Sequence, residues 1–302
     1  MRIATTTGDM EILRHDHIGK VKALAEAGFK YIDLSFYNTN FSDPIMGEDW
    51  VDYVKELKQT GDDLGVKFVQ CHLGNAHPIR DKDFDGNVKC ILREIEVCGM
   101  LGIENAVLHS ITADGWDKEK FFKENREFYN LFLPTAEKSG VRILIENTTK
   151  KHCGDNFFFT FGNEMNEFIE YMGSDYIGAC WDTGHANIDG HNYDDIVALG
   201  KNLKAVHIND NRGRCDEHIA PFMGTLNMDE IMCALIDNGF KGYFTFESSD
   251  AIKTSRHWLQ TRVTFEKSKI LENPNVDMYK AMVKFIYEIG KATLKAYNIF
   301  EE

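Results

Sequence analysis

Four side chains that can bind a metal ion or carry a proton follow short apolar segments of this 302-residue chain. Glu146 follows VRILI, Asp182 follows IGACW, His207 follows LKAV and Glu247 follows GYFTF. These segments are rich in β-branched and aromatic residues, which is typical of buried strands. Three carboxylates and one imidazole form a donor set that suits a hard or borderline divalent cation. The sequence therefore predicts that these four residues bind one divalent metal ion.

The elements that would position these residues alternate regularly along the chain. Strands are predicted at 2–7, 30–36, 66–73, 104–110, 141–146, 176–182, 203–209 and 243–248, and the segments between them have helical spacing of apolar residues. Several predicted helices end at a glycine, the residue that best tolerates the left-handed conformation at helix C-termini: Gly28, Gly65, Gly102, Gly140 and Gly239. This pattern predicts an α/β fold, a single (β/α)8 TIM barrel of residues 1–302 with a C-terminal helix at about 277–298.

A barrel would bring distant residues together, because the carboxyl ends of its strands share one mouth, where active sites of this fold lie. Further residues that can bind a metal or a substrate stand at the same ends: His72, His109, His185, Asp216 and His218. Burying so many charges at one mouth would be costly unless cations compensate them. We therefore expect a second metal site or a substrate-binding group there. Taken singly, a strand-end histidine is more often a hydrogen-bonded bystander, and Asp182 could instead cap the following helix.

The composition argues against several classes of protein. A formal net charge of -14 opposes bulk attraction to nucleic acid or to an anionic membrane. No apolar run approaches transmembrane length, and the residues after Met1 contain no stretch that would serve as a signal peptide. The seven cysteines show no paired spacing, which suits reduced thiols. We expect a cytoplasmic protein with no membrane partner and with nucleic acid disfavoured.

The segments around the candidate residues resemble those of the xylose isomerase-like TIM barrel superfamily, which includes sugar isomerases, ketose 3-epimerases and endonuclease IV. The segments are IENT (145–148), WDTGHAN (181–187), VHINDN (206–211), DEH (216–218) and FTFES (244–248). The resemblance implies that Glu146, Asp182, His207 and Glu247 bind the single divalent ion of the epimerases. It also implies that Glu146 and Glu247 move protons on opposite faces of the sugar.

The resemblance carries two further implications about residues. His185 matches a substrate-contacting histidine, and Arg212 or Arg214 matches a substrate-gripping arginine. The fuller set follows the nine ligands of the trinuclear zinc cluster of endonuclease IV: His72, His109, Glu146, Asp182, His185, His207, Asp216, His218 and Glu247. Because many sugar isomerase relatives also carry this set, it does not decide between the two activities.

The leading hypothesis is a metal-dependent isomerase or epimerase that moves a proton on a ketose, an aldose or a related polyol through an enediolate. The ion would be Mn, Zn, Co, Mg or Fe, the substrate a sugar or sugar phosphate, and the resemblance implies a homo-oligomer. The alternative is an endonuclease IV-like zinc phosphodiesterase acting on abasic DNA. A third reading is a carbohydrate-binding protein without catalysis. Basic positions available to grip a phosphate are few and scattered: Arg80, Lys82, Lys150, Lys151, Arg212, Arg214, Lys253 and Arg256.

Aromatic residues near the predicted mouth allow two interpretations. The run from Asn156 to Asn163 could form a wall over a sugar ring, or a loop anchored by buried phenylalanines. Trp116 and Trp258 could line the pocket or pack beside it.

Overall fold

In a computed structural model, which describes residues 1–249, 251–252 and 274–302, the strands form one parallel sheet that is nearly closed into a barrel. In chain order, β1 to β8 are Arg2–Thr6, Tyr31–Ser35, Lys67–His72, Asn105–Val107, Arg142–Glu146, Ile177–Asp182, Leu203–His207 and Tyr243–Phe246. All eight overlap the predicted segments. The fourth is shorter than predicted, so His109 lies two residues beyond its end.

Helices follow the strands around the outside of the barrel. Within the described ranges, α1 to α11 are His17–Ala27, Trp50–Leu64, Phe84–Leu101, Lys118–Asn130, Leu133–Ser139, Lys150–Cys153, Gly162–Met172, Thr183–Asp189, Asn192–Leu199, Met228–Asn238 and Val276–Ala296. Short 3-10 helices span Thr7–Leu13, Pro44–Met46 and Gly200–Asn202. The five glycines predicted to end helices all have positive φ, so the sequence marked these termini correctly. No helix in the described part of the chain is long and apolar enough to cross a membrane.

The strand order around the sheet is β7-β6-β5-β4-β3-β2-β1-β8. The ring closes where Ile208, just after β7, pairs with Phe246 at the end of β8. The Ile208 amide donates to the Thr245 carbonyl over 2.8 Å, and the Glu247 amide donates to the Ile208 carbonyl over 3.1 Å. The architecture is therefore the single (β/α)8 barrel that the sequence predicts.

A compact apolar layer fills the barrel beneath the candidate residues. Val107, Leu144, Cys180 and Ala205 form one buried cluster, separate from the larger core between the sheet and the helices. Leu144, Cys180 and Ala205 each lie two positions before a predicted ligand on their strand. Because alternate side chains of a strand share a face, this layer directs the next inward side chains toward the mouth.

Candidate metal centre

The four predicted ligands meet at the carboxyl end of the barrel. Glu146, Asp182 and His207 are the last residues of β5, β6 and β7, and Glu247 follows β8 directly. One donor atom from each lies within 4.8 Å of the donor atoms of the other three. Glu146, Asp182 and His207 are buried, whereas Glu247 is half-buried and faces a cavity. The strand ends thus bring together side chains up to 101 residues apart (247 minus 146).

His207 is held in one orientation by contacts on both ring nitrogens. Its Nδ1 lies 2.7 Å from Oε1 of Glu146 and 3.3 Å from Oε2 of Glu247. Its Nε2 lies 2.8 Å from the side-chain amide of Gln70. Burial disfavours the imidazolium, but Cys180 and the two carboxylates outweigh it and raise the pKa of His207 well above its ordinary value. The Gln70 contact leaves Nδ1 as the nitrogen directed toward the carboxylates.

Asp182 performs the capping role and also belongs to the cluster. Its Oδ1 accepts the backbone N–H of His185 over 2.6 Å, which caps α8, and its Oδ2 accepts from the Asn209 amide over 2.7 Å. Gly184 permits this arrangement, because a Cβ there would collide with the Asn209 amide oxygen. Complete burial raises the pKa of Asp182 above its ordinary value. The cap and the Asn209 hydrogen bond therefore fix the carboxylate at the mouth.

A second group is built around the same glutamate. His109 Nε2 lies 2.8 Å and His72 Nε2 3.7 Å from Oε2 of Glu146. The His72 Nδ1 lies 2.9 Å from the Leu73 carbonyl, so its Nε2 points into the cluster. Burial alone would raise the pKa of Glu146, but the positive fields of His207 and His109 lower it well below its ordinary value. Glu146 is thus an ionised carboxylate shared by two groups of imidazoles.

A third group consists of His185, Asp216 and His218. The two Nε2 atoms lie 3.3 Å and 3.0 Å from Oδ2 of Asp216. Each Nδ1 lies against a backbone carbonyl, that of Asn147 for His185 and that of Glu247 for His218. Burial opposes protonation, yet Asp182 and Asp216 raise the pKa of His185 to about 10. A backbone acceptor at Nδ1 is the arrangement that orients a histidine to bind a metal through Nε2.

In the described part of the chain, two buried oxygens of these groups lack a hydrogen bond, Oδ1 of Asp216 and, beside His207, Oδ2 of Asp33. Oε2 of Glu146 has its close contact with His109, but that contact lacks hydrogen-bond geometry. Leaving buried charged oxygens unsatisfied is costly, and divalent cations would compensate them. A mixed set of carboxylate and imidazole donors suits zinc, manganese, cobalt or iron better than it suits a cation that prefers oxygen ligands alone. The residues present therefore fit the metal that the fold family implies.

The groups open into a cavity of about 530 Å³. Tyr37 stands at its edge and contacts the His72 ring in an edge-to-face arrangement with centroids 5.3 Å apart. The remaining wall comes from the loop after β1, the start of α1 and the loop after β2, with side chains that include Arg14, Lys20 and Asp43. The sequence pattern singles out none of these three, because they do not stand at strand ends.

The structure does not bring the two predicted substrate-binding arginines into this cavity. Arg212 and Arg214 are exposed and lie outside its lining as seen in the described residues. The Arg212 guanidinium forms an ion pair with Glu217 over 2.6 Å, and the Arg214 carbonyl accepts a hydrogen bond from Lys151. His185, in contrast, lines the cavity as predicted for a substrate contact. Other predictions, for Lys253, Arg256 and Trp258, lie outside the described residues.

The aromatic run after β5 belongs to the core. Phe157 and Phe159 are buried, and both pack edge-to-face on Phe121 of α4, with ring centroids 5.5 and 4.9 Å apart. Trp116 is also buried, and none of the four lines the cavity within the described ranges. The interpretation as a loop anchored by buried phenylalanines therefore describes this run, and the wall over a sugar ring does not.

The residues that support the ligands, chiefly Gln70, Asn147 and Asn209, were not predicted from the sequence. A signal was present for two of them. Gln70 lies two positions before His72, and Asn209 two positions after His207, so alternation along the strand predicts that each shares the inward face of its neighbour. The side-chain oxygen of Asn147 accepts a hydrogen bond from the Asp182 backbone N–H over 2.6 Å. This contact joins neighbouring strand ends, and no local sequence pattern predicts it.

Comparison with known proteins identifies the family. The model of the xylose isomerase-like TIM barrel family matches residues 21–262, and the chain belongs to this family. The uncharacterized protein y4fM of Sinorhizobium fredii is 28% identical over 212 residues, covering 68% of this chain and 65% of that protein. The chain thus spans slightly less than two thirds of that curated relative.

Two further proteins are similar to this chain. A probable endonuclease 4 of Cenarchaeum symbiosum is 26% identical over 201 residues, covering 60% of this chain and 70% of that protein. The structure of D-psicose 3-epimerase from Clostridium cellulolyticum H10, with D-tagatose, matches with a TM-score of 0.73 at 17% identity, covering 97% and 99% of the two chains. At this identity the structural likeness shows the shared fold.

Proposed function

We propose that this protein is a divalent-metal-dependent sugar isomerase or epimerase. The observation that carries the proposal is the convergence of Glu146, Asp182, His207 and Glu247 within 4.8 Å at the base of an open cavity. The solved structures that resemble the chain include a D-psicose 3-epimerase and an L-ribulose 3-epimerase, which supports a sugar as substrate. The cavity volume of about 530 Å³ is in the range of small-molecule sites.

The chemistry that a bound divalent ion would supply is polarisation of a substrate carbonyl next to the carbon that loses its proton. Glu146 and Glu247 would hold that ion together with Asp182 and His207. The same two glutamates form the acid and base pair, one removing a proton from carbon and the other returning one. Their environments differ: Glu146 is buried among imidazoles, whereas Glu247 is half-buried and lines the cavity. Such a difference lets paired carboxylates divide the two roles.

The test measures exchange of carbon-bound hydrogen with deuterated water during turnover of ketoses and inososes. Glu146→Gln and Glu247→Gln should each lower the exchange rate by about 10²–10⁴-fold, the usual contribution of a general acid or base. Glu170→Gln, an exposed position on α7, is the matched control. Full exchange activity in the Glu146→Gln, Glu247→Gln double variant would contradict the proposal.

A second candidate function is metal-assisted hydrolysis of a phosphodiester at abasic DNA. It is favoured by the two additional groups, His72 with His109 and Glu146, and His185 with Asp216 and His218, which would allow up to three ions. The curated relatives named probable endonuclease 4 agree with it. Elemental analysis separates the candidates, because about one equivalent of metal fits the epimerase and about three of zinc fit the nuclease. Cleavage of an abasic duplex at low salt would favour the nuclease.

A further inference from the structure

The cavity has a second, chemically different end, formed by the loop after β1 and the first turns of α1. Lys20 and Arg14 line it, and His17, one turn before Lys20 on α1, lines it as well. Only 6% of the Lys20 surface is exposed to solvent. The carboxylates of Glu11 and Asp43 line the same end. It is called the cationic end here after Lys20 and Arg14, which do not belong to the predicted metal ligands.

Lys20 is a buried cation that has no direct partner in the part of the chain that the structure describes. Across the described residues its ammonium makes no hydrogen bond and no ion pair within 4.0 Å. Burial lowers the pKa of Lys20, and only the more distant charges of Asp43, Glu11 and Asp16 oppose this shift. A buried charge of this kind is costly unless an anion meets it.

The nearby carboxylates are already engaged elsewhere. Asp43 lies 2.8 Å from Nδ1 of His15 and 3.1 Å from Nε2 of His17. Asp16 accepts the backbone N–H of Gly19 over 2.8 Å as the cap of α1. Glu11 accepts from the hydroxyl of Tyr279 over 3.3 Å. The carboxylates whose charge reaches Lys20 are therefore oriented by other donors.

Arg14 brings a second cation to the same wall in an unusual backbone conformation. Its φ of 49° and ψ of -114° lie in a region that favours glycine. In the described part of the chain its guanidinium has no hydrogen-bond or ion-pair partner. Strained backbone of this kind persists mainly where it positions a functional group.

We propose that Lys20 and Arg14 form a subsite for an anionic substituent, a phosphate or a carboxylate, on the substrate. The anion would meet a buried ammonium, which acts as a point charge, and a guanidinium, which can donate two parallel hydrogen bonds. The proposal rests on the proposed sugar isomerase or epimerase function for the opposite end of the cavity. It narrows the substrate to a sugar phosphate or a sugar acid whose charged group lies away from the reacting carbons.

Direct binding tests the subsite without turnover. Isothermal titration of the metal-loaded protein with inorganic phosphate and with acetate is compared for the unaltered protein, Lys20→Met and the control Lys22→Met. Lys22 lies on the same helix but is exposed and outside the cavity lining. Lys20→Met should weaken binding of the preferred anion by at least about tenfold, whereas Lys22→Met should not.

The two anions also distinguish the sources of the charge. Tighter binding of phosphate identifies a sugar phosphate, and tighter binding of acetate identifies a sugar acid. Anion bound only at the metal would be equally tight in Lys20→Met, and this result would overturn the subsite. Absence of saturable binding of either anion at millimolar concentrations would overturn it too. Arg14→Gln provides a second variant that does not disturb the buried part of α1.

Measurements of turnover then distinguish a failure of the anion subsite from a failure of the proposed isomerase or epimerase function. Hydrogen exchange is measured with D-fructose and with D-fructose 6-phosphate, and with the corresponding sugar acid if acetate binds better. Loss of anion binding in Lys20→Met without exchange on any sugar would retain the subsite and reject the isomerase or epimerase. Exchange on unsubstituted ketoses, with anion binding unaffected in Lys20→Met, would retain the enzyme and reject the subsite.

Discussion

The two ends of the cavity differ in whether their buried charged groups have partners of opposite charge. At the end formed by β5 to β8, acids and imidazoles are within 4 Å of one another, as in the contact of His207 with Glu146. At the cationic end, Lys20 is buried with no direct counterion in the described residues. The first end is assembled from strand termini, the second from a loop and a helix. In the proposals made above, the reaction chemistry lies at the strand ends and the anion subsite lies at the loop end.

Two buried glutamates extend this comparison. Imidazoles surround Glu146 and lower its pKa, whereas Glu94 of α3 has no such neighbour in hydrogen-bonding contact among the described residues. Burial raises the pKa of Glu94 from its ordinary 4.5 to about 8, even though the carboxylate accepts the Gly74 N–H over 2.7 Å. The pKa of the same side chain is therefore lowered in one place and raised in the other, because the contacting imidazoles outweigh burial at Glu146, whereas burial outweighs the hydrogen bonds and the more distant His72 at Glu94.

The largest effect is expected for Glu94→Gln, on the pH dependence of stability, and it tests the contrast between Glu94 and Glu146. Between pH 4.5 and about 8 the unfolded chain has lost the Glu94 proton while the folded protein retains it. Glu94 should therefore contribute a fall in the free energy of unfolding of up to about 1.4 kcal/mol per pH unit in that window, and this contribution should level off above it. Glu94→Gln should remove this contribution and leave the shallower fall due to groups such as Asp9, whose pKa burial also raises to about 8. Urea unfolding across the window would measure the difference.

Glu96→Gln, on the same helix but exposed, is the control for Glu94. Because its side chain is at the surface, its pH dependence should match that of the unaltered protein. A variant at Glu94 that loses stability in parallel with the unaltered protein as the pH rises would show that Glu94 is ionised in the fold.

A smaller effect is expected where a neutral residue supports the acid and imidazole end. Asn209→Ala removes the hydrogen bond of 2.7 Å that orients Asp182. Loss of such a supporting contact typically weakens metal affinity by about 10–100-fold. Competition with a chelator would measure the change, with Asn163→Ala, an exposed position on α7, as the control. Unchanged metal affinity in a folded Asn209→Ala protein would contradict the assignment of Asp182 as a metal ligand.

The smallest effect is expected at Arg212, which the sequence assigned to the substrate. Arg212→Gln removes an ion pair between an exposed guanidinium and the buried carboxylate of Glu217, which keeps its hydrogen bond from the Arg212 backbone N–H over 2.9 Å. The KM for the sugar should change less than about twofold, well below the effect expected for Lys20→Met. A tenfold or greater rise in KM, measured by steady-state kinetics, would return Arg212 to the substrate site.

The strand ends were predictable because two regularities agree. Apolar runs mark buried strands, and alternation of side chains decides which residue faces the barrel axis. Together they place Glu146, Asp182 and His207 at one mouth, where the structure has them. The same alternation could have found Gln70 and Asn209. These inferences succeed because strand geometry repeats along the sheet.

The arginine assignments stay predictions, because a loop lacks the repeating geometry of a strand. Arg212 lies in a loop whose path depends on contacts such as that with Glu217, and residue type alone does not indicate which way a loop side chain points. The run from Asn156 to Asn163 was ambiguous for a similar reason. Its place in the core is decided by Phe121, which lies 38 residues earlier (159 minus 121).

The amino-acid sequence by itself determined the barrel, the order of its strands and the acids and imidazoles at their ends, because local periodicity and burial are written along the chain. Only the tertiary structure decided that Lys20 is buried with no direct partner among the residues described, and that Arg14 lines the same cavity. A helical residue acquires its surroundings from elements distant in sequence. The cost of burying its charge therefore depends on three-dimensional packing, which residue spacing does not encode.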